Sequence, residues 1–346
     1  MSKHTKRIVR TVLLVGTIIS MFYVPWILVK AWILPLPDTV QEQLNEAIEL
    51  GFDGMIVYVD QAGKPPEFYA AGWHDRKNKI LAYPQALFKI ASISKLYVAV
   101  AVAKLVNDKH LSLDKTLAKY LPELAGRIEY SDKITLRMMV QHKSGIPNFT
   151  DTPGYWEDPP KNNRETLELV LDKPADFEPD KKYSYSNTNY LLIGEIFDKT
   201  LGYSHHQYIK REILKLLELN NTYSLLSEVD LNDVMSGYDV GYDDDLKYTD
   251  FINPAGSMVA TAQDVGIFLR ALNDGSLLNE NEQSIYSSIY EYEHTGLLPG
   301  YSSIAKYHKD IDAVIVQFVN TSGGYTWNLA EIVYNRIVKI LRSKKN

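Results

Sequence analysis

Apolar positions return along this chain in two rhythms, one of helices and one of strands. Leu44, Ala47 and Ile48 recur at helical spacing within residues 41–50. Residues 54–59 (G-M-I-V-Y-V) form a short β-rich run, and 67–73 read as its hairpin partner. Residues 91–106 predict a helix with Ala, Val and Leu on most faces, too apolar for a surface position. Shorter helices are predicted at 136–142, 165–171, 189–200 and 206–217, separated by Gly, Pro and Asn, with another at 261–272. Residues 300–307 and 313–319 predict a strand pair joined around Lys309-Asp310. An amphipathic helix over 328–341 closes the chain, with Leu329, Val333, Ile337, Ile340 and Leu341 inward. Strands near both ends with helices between them predict an α/β fold of the α+β sandwich type. Its antiparallel sheet would be flanked by the terminal helices and carry an inserted, mainly helical lobe, with an active site between sheet and lobe.

Ahead of these elements, residues 11–29 hold 19 positions without a formal charge, behind Lys3, Lys6, Arg7 and Arg10. About 20 apolar residues span a bilayer, whereas the core of a signal peptide holds about 7–15. No small-x-small cleavage site follows, so the expected element is an uncleaved N-terminal transmembrane helix. Secretion after cleavage of a signal is the alternative. Bases before the run, and Asp38, Glu42, Glu46 and Glu49 after it, predict a cytoplasmic N-terminus and an extracytoplasmic body in the cell membrane. Pro25 predicts a mild kink, and Pro35 with Pro37 a stiff exit. The expected division is therefore 1–37 as basic tail and anchor, and 38–346 as one catalytic domain, since no repeat or low-complexity linker follows residue 38.

Charge and composition narrow the chemistry. The whole chain carries 37 basic and 43 acidic residues. Residues 1–37 hold five of the bases and no acid, which leaves the body at −11. A body that acidic is a poor general binder of nucleic acid. There is no cysteine, which removes disulfides, thiolate nucleophiles, zinc ribbons and iron–sulfur clusters.

The strongest local signal is Ala91-Ser92-Ile93-Ser94-Lys95 at the start of the apolar helix. Ser92 and Lys95 are three apart, so on a helix both lie on one face. Ser92 would sit at the helix N-terminus, where free N–H groups and the dipole favour developing negative charge. A lysine among Ala, Val and Leu loses solvation, and its neutral amine becomes available as a base. The bland alternative is a capping serine with a lysine reaching out to solvent. Tyr185-Ser186-Asn187 opens a later apolar helix; the tyrosine can relay a proton and the asparagine hold a substrate amide, or Asn187 can simply cap. His294-Thr295-Gly296 precedes the last strand pair. Gly296 would let a substrate lie along a strand, and the N–H of Leu297 could complete an oxyanion hole, or the segment is an ordinary strand–turn junction.

In this order the three patterns resemble the serine β-lactamase and penicillin-binding protein superfamily, whose signature is S-x-x-K, an S-D-N element and K-T-G. The Tyr-Ser-Asn and His-Thr-Gly forms are similar to its class C branch, which includes β-lactamases, D-Ala-D-Ala peptidases and related esterases. The resemblance covers roughly residues 45–340 and extends to L-F-K-I-A-S-I-S-K, L-S-L-D-K, K-Y-L-P-E-L, Q-H-K-S-G-I-P, Y-S-Y-S-N, A-G-S-M-V-A-T-A-Q-D and H-T-G-L-L-P-G-Y-S-S. It implies Ser92 as acylated nucleophile, Lys95 as its base, Tyr185 as the second acid/base group, and Asn187 and His294 lining the site. One departure matters. The family's third motif begins with a lysine that helps bind a carboxylate, whereas a histidine supplies that charge only partly at pH 7, its unperturbed pKa being about 6.5. His294 therefore favours esterase-like or peptidase-like members over a dedicated β-lactamase.

Other candidates read as structural. Adjacent His205 and His206 on a helix face different ways and lack a third ligand. His142 sits in a turn. Asp243-Asp244-Asp245 lacks the alternating spacing of a calcium loop. Some of the 24 tyrosines gather at 238–248 and 286–292, where they could line a groove or pack the edge of a lobe. No G-x-S-x-G elbow occurs. The expectation is thus a serine hydrolase working through an acyl-enzyme on an ester or amide, such as a D-alanyl ester or a cell-wall peptide, without metal or cofactor. Its expected contacts are a small-molecule or cell-wall-derived substrate and the membrane, with no nucleic acid and no oligomeric state implied. The alternatives are a non-turnover penicillin-binding sensor or cell-wall scaffold and, among enzymes, a class C-type β-lactamase.

Overall fold

The computed structural model describes residues 2–344. Its centre is a six-stranded antiparallel sheet built from β1 (Gly54–Gln61), β2 (Glu67–Asp75), β3 (Ile80–Leu81), β4 (His294–Leu298), β5 (Tyr301–His308) and β6 (Ala313–Val319). The spatial order is β3-β2-β1-β6-β5-β4, so strands from the two ends of the chain meet in the middle. Val57 lies opposite Gln317 across that seam. The principal helices are α1 (Lys3–Met21), α2 (Trp26–Ile33), α3 (Val40–Glu49), α4 (Ser94–Asn107), α5 (Asn187–Leu201), α6 (Ala262–Asp274) and α7 (Thr326–Ser343).

Both faces of the sheet are covered, which explains the unbroken apolar run of β1. Met55, Val57 and Val59 point to one face and join Leu44 of α3 and Leu329, Val333 and Ile337 of α7. Ile56 and Tyr58 point to the other and join the large core that α4, α5 and α6 share. Alternation is present, but both faces are oily, so no polar rhythm marks it. The helical lobe between β3 and β4 packs over the second face, as expected.

Two expected helices differ in detail. Residues 91–106 are not one helix: Ala91–Ile93 form a 3-10 turn and α4 begins at Ser94. Ala91 holds φ at +52°, which breaks the α geometry just before the serine. The 206–217 segment is a short helix, His205–Ile209, running into a π-helical turn over Lys210–Leu214.

The N-terminal segment needs a correction. No single helix among the described residues is long and apolar enough to cross a membrane; α1 and α2 meet that test only together, bent by 80°. The mild kink expected at Pro25 is a full break. Proline has no N–H for the ladder of α1, and α2 starts afresh on its carbonyl, which accepts from the N–H of Leu28 at 2.9 Å. The indole of Trp26 donates to Met21 O at 2.9 Å and closes the end of α1.

Candidate active site

The site lies where the start of α4, the start of α5 and the edge strand β4 converge. A small antiparallel ladder, Phe88–Lys89 against Val259–Ala260, leads into it. The N–H of Ile90 donates to Met258 O at 3.1 Å, and Ser94 Oγ donates to Ala91 O at 2.7 Å, so the turn carrying Ser92 is pinned on both sides. Ser94 is thereby occupied as scaffolding. Ser92, not Ser94, faces the chemistry.

Lys95 does not reach for solvent; it is 0% exposed. Its Nζ lies 3.0 Å from Ser92 Oγ, 2.8 Å from Asn187 Oδ1 and 2.7 Å from the carbonyl of Ala255. No carboxylate is among these partners, and burial holds the amine's pKa well below the ordinary lysine value. The Tyr185 hydroxyl donates to Ser92 Oγ from the other side at 2.7 Å. Burial raises that phenol's pKa, so Tyr185 stays protonated at neutral pH. Ser92 Oγ thus sits between a basic nitrogen and a hydroxyl donor.

Asn187 is the first residue of α5 and holds Lys95 rather than standing free. Its N–H donates to Asn148 Oδ1 at 3.0 Å, and its amide nitrogen faces Thr150 Oγ1 at 3.4 Å. The side-chain cap expected of it as an alternative is absent; the residue before the helix is Ser186.

His142, read from the sequence as structural, supports Tyr185 directly. Its ring stacks on Tyr185 with centroids 4.5 Å apart, and its Nδ1 accepts the N–H of Ser186 at 3.2 Å. Burial lowers its pKa to about 3, so it is a neutral ring. A turn histidine gives no sign in sequence of the tyrosine it will meet more than forty residues later. Ala255, which supplies the third contact to Lys95, is equally silent.

The edge strand β4 runs close beside the nucleophile turn. A Cβ on Gly296 would lie 2.4 Å from Ile90 O and 2.4 Å from Ser303 Oγ, so only glycine allows this approach. Leu298 and Tyr301 pair across the Pro299-Gly300 turn, and Leu297 pairs with Ser302 at the next position. Main-chain groups alternate in an antiparallel ladder, so the N–H of Leu297 turns away from β5 to the open edge.

His294 is fixed as a neutral ring. Its Nδ1 faces the carbonyl of Thr295, which requires the proton there, and its Nε2 accepts from the Tyr290 hydroxyl at 2.8 Å. Burial lowers its pKa to about 4. The partial positive charge expected at pH 7 is therefore absent. The nearby lysines are engaged elsewhere, Lys306 with Glu293 at 3.0 Å and Lys143 with Asp180 at 3.5 Å. A cleft of about 290 Å³ opens beside these groups, lined by His142, Tyr183, Tyr185, Ser288, Tyr290 and His294.

Comparison with known proteins agrees with this architecture. A family model described as Beta-lactamase matches residues 37–288. Protein flp of Staphylococcus aureus (strain MW2) is 23% identical over 340 residues, covering 88% of this chain and 68% of its own length. N-acetylmuramyl-L-alanine amidase of Bacillus subtilis (strain 168) is 27% identical over 202 residues, which is 53% of this chain and 45% of that one. Among solved structures, D-amino acid amidase from Ochrobactrum anthropi SV3 superposes with a TM-score of 0.79 at 22% identity, covering 89% of this chain and 98% of that chain. A class C beta lactamase from Rhodobacter sphaeroides superposes at 0.70 and 20% identity, covering 89% and 99%. Likeness at such identities speaks for the fold. The family match adds the sequence around Ser92, Lys95, Tyr185 and Asn187, and on that ground the chain belongs to the beta-lactamase family.

Proposed function

We propose that the protein is a membrane-anchored, extracytoplasmic serine hydrolase that acylates Ser92 and releases the acyl group to water. The observation that carries this reading is Ser92 Oγ held between Lys95 Nζ and the Tyr185 hydroxyl, at 3.0 and 2.7 Å. A neutral amine has two N–H groups and one lone pair. Asn187 Oδ1 and Ala255 O take the two N–H groups, and the lone pair is left for the proton of Ser92. As Oγ bonds to the substrate carbonyl carbon, that proton passes to Lys95, and the carbonyl electron pair moves onto oxygen, facing the N–H groups of Ser92 and Leu297. Collapse breaks the bond to the leaving group, which takes a proton from Tyr185; Lys95 then restores Tyr185. Water repeats the sequence on the acyl-enzyme, giving its proton to the same base and freeing Ser92.

The substrate class follows from charge. With His294 neutral and Lys143 and Lys306 already paired, a leaving group that bears a carboxylate finds no free cation among the described residues that line the cleft. Neutral amides and esters suit this site best. An extracytoplasmic position makes D-alanyl esters and cell-wall peptides the natural acyl donors, and resemblance to amidases favours amide turnover among them. The test is a time course of fluorophosphonate and fluorescent penicillin labelling, with parallel assays of short-chain esters, D-amino acid amides, D-Ala-D-Ala peptides and a chromogenic cephalosporin. Ser92→Ala should abolish labelling with an unchanged melting temperature, at a loss of order 10⁶ in rate. Labelling that persists without release would instead mark a penicillin-binding sensor. Labelling lost in Ser94→Ala but kept in Ser92→Ala would overturn the assignment of the nucleophile.

A further inference from the structure

We infer that α2 is an interfacial helix, lying flat in the lipid headgroup layer and fixing the orientation of the catalytic body against the bilayer. The inference rests on the membrane anchoring proposed above. The bend between α1 and α2 is 80°. With α2 outside the span, α1 enters the bilayer by itself; its 19 residues reach about 28 Å, and Lys3, Lys6, Arg7 and Arg10, which keep it from passing as a span alone, lie at the end where they can reach back to the headgroups. An α1 along the membrane normal then leaves α2 within about 10° of the membrane plane.

The two sides of α2 have different neighbours. Ala31 is buried, and Leu28 packs on the core shared by α3 and α7. Trp26, Lys30 and Ile33 face away from the body, with Ile27 and Trp32 on the flanks. Trp26 is 52% exposed, Trp32 76% and Ile33 70%. Tryptophan beside aliphatic residues, with a lysine able to reach phosphate, is the chemistry of the membrane–water boundary. These exposed apolar residues follow in sequence on the uncharged stretch of α1, and Phe22 and Tyr23 at the break are exposed as well. Lipid is thus the occupant that the neighbouring segment already supplies.

The link from α2 to the body is stiff. Arg336 of α7 is buried, and its guanidinium donates to Leu34 O at 2.8 Å and Pro35 O at 2.7 Å. The same group donates to Gln43 Oε1 at 2.5 Å and meets Glu46 Oε2 at 3.1 Å. Four hydrogen bonds of one side chain therefore bolt the segment after α2 to helices α3 and α7. A free tether would let the body tumble; this bracket holds the site at one height above the lipid.

The full-length protein in vesicles of zwitterionic and anionic phospholipid tests the idea by tryptophan quenching with lipids brominated either near the headgroup or near the chain ends. Headgroup-proximal bromine should quench more strongly, and Trp26→Phe/Trp32→Phe should remove most of the quenchable signal. A protein that floats with vesicles yet shows no quenching, or the same quenching in the double variant, overturns the inference and leaves the anchor intact. Failure to float removes the anchor and this inference with it. Cross-linking through Ile33→Cys between two copies, without quenching, would assign the face to a second copy and also overturn it. Rigidity is read separately. The chain has no cysteine, so a dye on Lys173→Cys reports distance to a lipid acceptor cleanly. One narrow distance is expected, broadening in Arg336→Gln; a broad distribution in the parent sinks the bracket.

Discussion

At the scale of single residues, the site is a set of groups forced into the protonation state their task needs. Lys95 loses solvation and gains only neutral oxygens, so burial lowers its pKa unopposed. Tyr185 is pushed the other way by the same burial and keeps its proton. Tyr185→Phe would keep the stack on His142 while deleting the hydroxyl that donates to Ser92. Acylation should slow by about 10²–10⁴ with little change in melting temperature; a rate within a few-fold of the parent would remove Tyr185 from the proton path. His294 gives a pH prediction with a definite sign. Its folded pKa of about 4 lies below the ordinary histidine value, so the ring is neutral at pH 7 and still neutral at pH 6. Protonation of Lys95 slows all substrates alike as pH falls. The ratio of turnover between a carboxylated β-lactam and a neutral ester should therefore stay flat from pH 7 to pH 6, and rise only as pH nears 4. A rise already complete by pH 6 would mean that His294 takes up charge in the range that the sequence alone suggests.

At the scale of elements, the decisive dimension is the gap between β4 and the nucleophile turn. Gly296 faces Ile90 O, Ser303 Oγ and the Cβ of Ala91, all under 3.0 Å from where a Cβ would stand. Ile90 O is held in place, because it accepts from Ser303 Oγ at 3.1 Å and from the N–H of Ile93 at 3.2 Å while its own N–H is bound to Met258 O. Gly296→Ala should push the edge strand outward, carrying the Leu297 N–H from its place. Labelling should fall by at least about 10²-fold, the scale of losing one oxyanion donor, together with roughly 1–3 kcal/mol of stability for overpacking. Unchanged labelling would show that β4 is not part of the oxyanion site. Elements of this kind were half legible beforehand. The spacing of Ser92 and Lys95 is local, and the tyrosine and asparagine at the start of α5 carry their own motif, so these could be read directly. The terminal helix and both halves of the sheet follow from periodicity. The 3-10 turn was not legible, because alanine has no intrinsic preference for the positive φ it holds there; the ladder imposes it. Neither Ala255 nor His142 announces its role, since each acts through a contact made across the fold. The neutrality of His294 likewise depends on Tyr290 and on burial, which no motif encodes.

At the scale of the whole molecule, the chain closes on itself twice: β1 from the front half pairs with β6 from the back half, and α7 returns to grip the segment before α3. The second closure blurs a boundary drawn at residue 37. Arg336 is 6% exposed, and two of its acceptors, Leu34 O and Pro35 O, lie on the N-terminal side of that line. A body that starts at residue 38 keeps Gln43 and Glu46 for the guanidinium but leaves two of its donors without protein partners. A charged group that loses hydrogen bonds in a buried site costs about 1.5–3 kcal/mol per bond, less whatever water restores once the site opens. The comparison that isolates this term uses two truncations, 34–346 and 38–346. Both lack α1 and α2, so the contacts of Leu28 and Ala31 are missing from each, and only residues 34–37 differ. The shorter chain should be less stable by roughly 1–3 kcal/mol, a few degrees in melting temperature. Arg336→Gln should cost less in the shorter chain than in the longer one, because part of the clamp is already gone. Equal melting of the two truncations, or an equal cost of Arg336→Gln in both, would show that the carbonyls of Leu34 and Pro35 add nothing to the fold. The catalytic body would then begin at residue 38, where the sequence first placed its boundary.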